Sequence, residues 1–127
     1  MATVNPTSSY PSEGDESIIL YTWTLTSTNT DGAPICVPEW ADKTWHNYGT
    51  WGGATLTLQG SNEQTFAGAI PMTLSNAASG SAGTFTANGG MCSLENTLWV
   101  RPNLTTAGSG ATVTASVLVR LPTPLRT

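Results

Sequence analysis

Charged residues are scarce in this chain of 127 residues. They make up 9% of it, against roughly 25% in ordinary soluble proteins. The four basic residues are scattered and the net charge is -4, so the sequence offers no positive footprint for a phosphate backbone and we expect no nucleic-acid partner. A surface with few charges costs less to desolvate than a charged one, which favours extensive contact with a protein partner.

Long apolar runs and a cysteine framework are also missing. No run reaches the roughly 20 residues that a bilayer requires, and the first residues lack the basic and apolar regions of a signal peptide. We therefore expect no membrane partner and no export from the cytoplasm of the cell that makes the protein. Cys36 and Cys92 are too far apart for a zinc knuckle or a redox pair, and His46 adds no ligand spacing. Both thiols are expected to be reduced and mostly buried, with no metal and no cofactor.

No window keeps the spacing of an amphipathic helix, and one short helical turn near Val37 to Asp42 is the most we expect. The chain instead alternates apolar and polar residues with the two-residue period of half-buried strands. This alternation predicts strands at Ile18 to Thr28, at Ala54 to Gln59 and, most clearly, at Ala111 to Leu121, which we expect at the centre of its sheet. A further strand is predicted from Leu94 to Pro102, where the proline should end it.

The stretch from Trp45 to Asn62 predicts two strands joined by a sharp corner. Gly52 and Gly53 lie between its aromatic half and its threonine-leucine half, and glycine accepts the positive φ that such a corner requires. Many short strands with turn signals between them indicate an all-β fold, either a sandwich or a barrel. Residues 18–122 are predicted to form this domain, preceded by a flexible N-terminal arm (1–17) and followed by a short C-terminal tail (123–127).

The run from Gly49 to Thr55, followed by Gln59 to Asn62, resembles a pattern in small tailed-phage virion proteins that decorate or cement the head shell. The likeness extends over roughly Trp23 to Leu121. It implies a β-sandwich, with jelly-roll as the expected topology, and a non-enzymatic protein on the outer capsid surface of the virion. The implied partners are the major capsid protein and further copies of the chain, as a dimer or trimer at capsid lattice junctions. One departure is that Glu63 to Phe66 replaces the Asp-Gly and aromatic residue that often follow.

Candidate interface residues are aromatic or acidic and stand in the N-terminal segment and the middle of the chain. They are Tyr10, Glu13, Asp15, Glu16, Trp40, Trp45, Tyr48 and Trp51. Aromatic side chains dominate the energetics of protein interfaces. They also fill cores, and we expect at least two of the last four to be mainly buried.

Two other functions remain open from the residues alone. Trp40, Trp45 and Trp51 would suit a carbohydrate-binding or tail-tip adhesion domain. A small hydrolase would use Glu39, Asp42 and His46, because paired carboxylates beside an aromatic residue can cleave sugars. The segment has no nucleophile elbow and no second histidine, so no catalytic residue is predicted.

Overall fold

Two β-sheets pack face to face in the computed structural model, which describes residues 3–12, 14, 16–38, 42–64 and 71–120. None of these residues lies in a helix, so this part of the chain holds no helix that could cross a membrane. The predicted all-β sandwich is confirmed. The strands are β1 (Thr3–Val4), β2 (Thr7–Ser9), β3 (Ile18–Thr26), β4 (Asp31–Gly32), β5 (Ile35–Cys36), β6 (Asp42–Thr50), β7 (Thr55–Ser61), β8 (Met72–Thr73), β9 (Thr84–Phe85), β10 (Gly89–Cys92), β11 (Trp99–Thr106) and β12 (Thr112–Arg120).

The strand order is that of a jelly roll. One sheet runs β10-β6-β12-β3-β2, and the other runs β1-β4-β11-β7-β8, with β5 beside β11 and β9 beside β7. Four antiparallel pairings are nested in sequence: β3 with β12, β4 and β5 with β11, β6 with β10, and β7 with β8 and β9. Such nesting is a long hairpin rolled into two sheets, so the expected topology is confirmed.

The core lies between the sheets and is aromatic at one point. Trp23 and Trp45 stack with ring centroids 5.9 Å apart, and each indole nitrogen finds an acceptor, which buried tryptophans usually need. Trp23 donates to the Ala33 carbonyl at 3.0 Å, and Trp45 donates to the Ser93 hydroxyl at 3.3 Å. As predicted, β12 lies centrally, between β6 and β3, and its valines face inward.

The predicted glycine corner joins β6 to β7 and carries the chain from one sheet to the other. Gly52 has φ 53° and Gly53 has φ 84°, values that L side chains rarely adopt. The Gly52 carbonyl accepts a hydrogen bond from the Ser109 amide at 2.9 Å. A Cβ at Gly52 would collide with the Ser109 carbonyl oxygen, so a close backbone approach also requires glycine there.

Pro102 does not end its strand, contrary to the prediction. It lies within β11, directly opposite Leu58 of β7. The Leu104 amide donates a hydrogen bond to the Thr30 carbonyl at 2.9 Å. Alternate residues of a strand direct their backbone groups to the same side, so the nitrogen of Pro102 also faces the Thr30 side. On that side Pro102 faces Gly32, the last residue of β4, beyond which the neighbouring strand is interrupted. The proline therefore lies where the ladder with β4 ends.

Part of the predicted N-terminal arm belongs to the sheets. β1 pairs with β4 in parallel, and β2 pairs with β3 in antiparallel orientation. Backbone pairing at a sheet edge needs no apolar alternation, so its absence from the sequence did not exclude these strands. Two strands of the sheets therefore lie before residue 18. Most of the predicted helical turn, at residues 39–41, and the tail at 123–127 lie outside the described residues.

Candidate functional site

The outer surface of the five-stranded sheet is broad and nearly free of charge. We call it the open face; it consists of the outward side chains of β6, β12, β3 and β10. Its central rows follow the strand register: Tyr48, Thr114 and Thr24 in one, and His46, Ser116 and Thr22 in the next. Asp42 and Arg120 lie opposite each other at one end. Between the ends the face presents hydroxyls, methyl groups and two rings.

The two rings form the most prominent feature of the open face. His46 and Tyr48 have ring centroids 4.9 Å apart at 43°, and Tyr48 is 42% exposed. The next strand has Gly90 opposite His46, so no side chain rises beside the imidazole there. Nearby, the Asn88 side-chain oxygen accepts the Gly49 amide at 3.1 Å and the Trp51 indole N–H at 2.8 Å. These bonds fix the end of β6 that carries Tyr48.

A shallow depression of about 280 Å³ lies at the other end of the open face. Its lining residues are Asp42, Thr44, Cys92, Leu118 and Arg120. The expectation of mostly buried thiols is wrong: Cys92 is exposed here, and Cys36 is exposed in the other sheet. Both are free thiols. Since each follows the outward register of its own sheet, the thiols lie on opposite sides of the sandwich, roughly 10 Å of sheet spacing apart at the least.

The outer surface of the seven-stranded sheet is instead occupied by its own hydrogen bonds. Arg101 donates from Nε to the Gln59 side chain at 2.9 Å, and Thr57 shares a hydrogen bond with Thr105 at 3.1 Å. Burial lowers the pKa of Arg101, while the charge of Asp31 acts in the opposite direction. With so many polar groups already paired, this surface has fewer to offer a partner.

The candidate interface residues differ in how exposed they are. Tyr10, Glu16 and Tyr48 are exposed, and Trp51 is partly buried. The interface prediction is wrong for Trp45. This side chain lies in the core, between Lys43 and Asn47, which also point inward. Glu13, Asp15 and Trp40 are outside the described residues. The structure therefore removes Trp45 from both the interface set and the glycan-binding set.

The two described residues considered for hydrolysis do not come together. Asp42 and His46 lie on the same strand four residues apart, which corresponds to roughly 13 Å along the chain, and Glu39 is outside the described residues. Within the described ranges, no three His, Cys, Asp or Glu side chains come close enough to hold a metal ion.

Two inward polar residues of β6 were missed by the sequence analysis. Lys43 has no exposed surface and donates from Nζ to the Asn96 side-chain oxygen at 3.1 Å. Asn47 is equally buried, and neither of its amide atoms has a hydrogen-bond partner among the described residues. Their spacing of two from Trp45 was the available signal, since alternate residues of a strand share one face.

No protein-family model matches the chain, and no curated protein sequence matches it significantly. Among solved structures, the crystal structure of the SPBc2 prophage-derived protein YomS is similar, with a TM-score of 0.49 and 12% sequence identity. The similarity covers 93% of this chain and 96% of that one. At this level of similarity, no function is carried over from YomS.

Proposed function

We propose that this protein is a non-enzymatic structural component of a phage particle that binds the outside of the assembled capsid and stabilises the head shell. Its main partner is the major capsid protein, and copies of the chain associate with one another at lattice junctions. The observation that carries the proposal is the open face: a neutral polar surface with one exposed aromatic pair. The resemblance centred on Gly49 to Asn62 supplies the phage setting.

The size of the open face suits this role. Its three long strands have nine residues each, or about 30 Å of length, and four strands at about 4.8 Å spacing give a width of about 19 Å. The resulting area of roughly 570 Å² is close to the 600 Å² or so that each partner contributes at the small end of specific interfaces. Several such contacts on one shell would add up by avidity.

The chemistry of the face predicts how binding responds to salt. Contacts made by threonine hydroxyls, methyl groups and aromatic rings are screened little by ions, whereas contacts between exposed charges weaken beyond a Debye length of about 3 Å at 1 M salt. Binding to expanded capsids of the phage that encodes the protein is therefore expected to persist in about 1 M NaCl. Loss of binding at that concentration would indicate a charged interface instead.

A matched pair of variants tests whether the open face is the surface used. Tyr48 and Met72 are both 42% exposed, but Met72 lies in β8 of the other sheet. Tyr48→Ala is expected to weaken capsid binding by about tenfold or more, as for an aromatic anchor, while Met72→Ala should change it less than about twofold. The opposite ranking would place the contact on the other sheet. Failure of the wild-type protein to bind these capsids at any salt concentration would overturn the proposed function.

A further inference from the structure

The N-terminal strands cross one edge of the sandwich and pair with both sheets. Thr3 and Val4 lie opposite Asp31 and Gly32 of β4, and the Ala33 amide donates to the Val4 carbonyl at 2.7 Å. The next strand, β2, pairs residues 7–9 with residues 20–22 of β3. The same short segment therefore completes the ladder of β4 in one sheet and of β3 in the other.

Side-chain burial contributes little to this attachment. Every side chain of β2 is exposed, Thr3 is exposed, and Val4 is only partly buried against the core. Ordering a residue costs roughly 1–2 kcal/mol of backbone entropy, so a segment held mainly by backbone hydrogen bonds is among the first parts of a domain to open. Opening would leave the edges of β3 and β4 unpaired, and such edges readily accept another strand.

The jelly roll does not need these two strands. β1 and β2 stand outside the four nested pairings that define the roll, so the framework of the other ten strands remains complete when they leave. The β1–β4 pairing is also parallel, unlike the nested antiparallel pairings. Detachment therefore changes the edge of the sandwich and leaves the packing of Trp23, Trp45 and the valines of β12 in place.

We propose that β1 and β2 are exchanged between copies of this chain, so that the β3 and β4 edges of one copy bind the N-terminal strands of a second copy. The best complement for these edges is the N-terminal segment of this sequence itself, because residues 3–9 already match their register. An exchanged segment forms the same backbone hydrogen bonds in the same places. Only the connection between β2 and β3 changes its path, which is the low-cost route to association known as domain swapping.

The connection is long enough for a neighbouring copy. It has eight residues, from Tyr10 to Ser17, which span about 26 Å when extended, nearly twice the radius of gyration of about 14 Å expected for a domain of this size. In dilute solution a tethered segment competes at an effective concentration in the millimolar range, so the closed monomer is favoured. Copies held side by side reach similar local concentrations. Exchange between copies deepens the proposed function. It rests on that function for the place where exchange occurs, because a capsid surface would hold copies side by side.

Cysteine pairing between two differently labelled chains tests the exchange without a capsid. Both chains carry Cys36→Ser and Cys92→Ser, because the natural thiols are exposed. One chain also carries Thr7→Cys, and an isotopically labelled second chain carries Thr22→Cys, since Thr7 and Thr22 are directly opposite in the register. The chains are mixed at micromolar and at about 1 mM concentration, warmed below the melting temperature, oxidised, and analysed by mass spectrometry.

Exchange predicts a disulfide-linked heterodimer whose yield rises with concentration. A control mixture replaces the second chain by one with Thr105→Cys, which is exposed in the other sheet and meets no N-terminal strand after exchange. The Thr22→Cys mixture should exceed this control by about tenfold at 1 mM. Equal yields in the two mixtures at 1 mM would overturn the exchange. Because no capsid is present, that result would leave capsid binding standing, and loss of capsid binding would leave a positive exchange result intact.

Discussion

Lys43 donates a hydrogen bond from Nζ to the side-chain oxygen of Asn96 at 3.1 Å, and none of its surface is exposed. A buried donor that loses an acceptor retains the cost of desolvation, about 1–3 kcal/mol and more for a charged group. Asn96→Ala is therefore expected to lower the free energy of unfolding by about 2 kcal/mol. Thermal and urea denaturation would measure the loss.

The matched control removes the amine as well. In Lys43→Met/Asn96→Ala an unbranched apolar side chain takes the place of the buried lysine, so no buried amine is left without the Asn96 acceptor. The double variant should therefore be more stable than Asn96→Ala alone. If Asn96→Ala melted like wild type, the hydrogen bond would have no role in stability.

Asn47 offers a stabilising substitution. Its amide is fully buried, and neither polar atom has a hydrogen-bond partner among the described residues, a state that costs roughly 1–3 kcal/mol. Asn47→Leu is expected to raise the urea midpoint by an amount equivalent to about 1 kcal/mol at an unchanged m-value. Asn103→Leu is the control, because the Asn103 amide nitrogen lies 2.7 Å from the Asp31 carboxylate in its favourable orientation, and this variant should lose stability. A less stable Asn47→Leu protein would show that the amide has a partner in solution.

The parts of the fold that follow from local pattern could be predicted from the sequence. The alternation in β12 depends on burial of one face, and the corner between β6 and β7 depends on two glycines at positive φ. Pro102 was misjudged because its effect depends on which side of the ladder its nitrogen faces. That side faces the end of β4 at Gly32, a relationship between distant segments.

The candidate site was harder to predict for a related reason. Along β6 the polar residues occur on both faces: His46 and Tyr48 point outward, whereas Lys43 and Asn47 point inward with Trp45. A strand with so few apolar residues does not indicate from its own sequence which face is buried. The pairing of β6 with β12 and β10 determines which face is buried. It leaves Tyr48 exposed and buries Trp45.

Glu95 should stabilise the fold at neutral pH and lose this contribution in acid. Burial raises the pKa of its carboxyl, but hydrogen bonds from Ser75 and from its own backbone together lower the pKa below the ordinary value; the Ser75 amide donates at 2.7 Å. A group whose pKa is lowered in the folded state stabilises the fold fully above its unfolded pKa of about 4.3 and loses this contribution as the pH falls through the folded value.

Glu95→Gln is therefore expected to lower the melting temperature at about pH 7, with the difference from wild type closing as the pH falls below about 4. Melting curves between about pH 7 and pH 3 would test this. Glu16→Gln, at an exposed position, controls for the change in net charge and should show little difference at either end. If the difference in melting temperature between Glu95→Gln and wild type widened in acid, the pKa of Glu95 would be raised by folding, not lowered.

The two glycines of the corner should differ in their tolerance of a side chain. Both have positive φ, which costs an L residue roughly 1–2 kcal/mol. A Cβ at Gly53 would meet no other atom within 4 Å, whereas one at Gly52 would collide with the Ser109 carbonyl oxygen. Gly53→Ala should therefore cost about 1 kcal/mol and Gly52→Ala about 3 kcal/mol or more, measured by urea denaturation. Equal losses would mean that the loop at Ser109 moves away at little cost, and that backbone conformation alone determines the need for glycine at this corner.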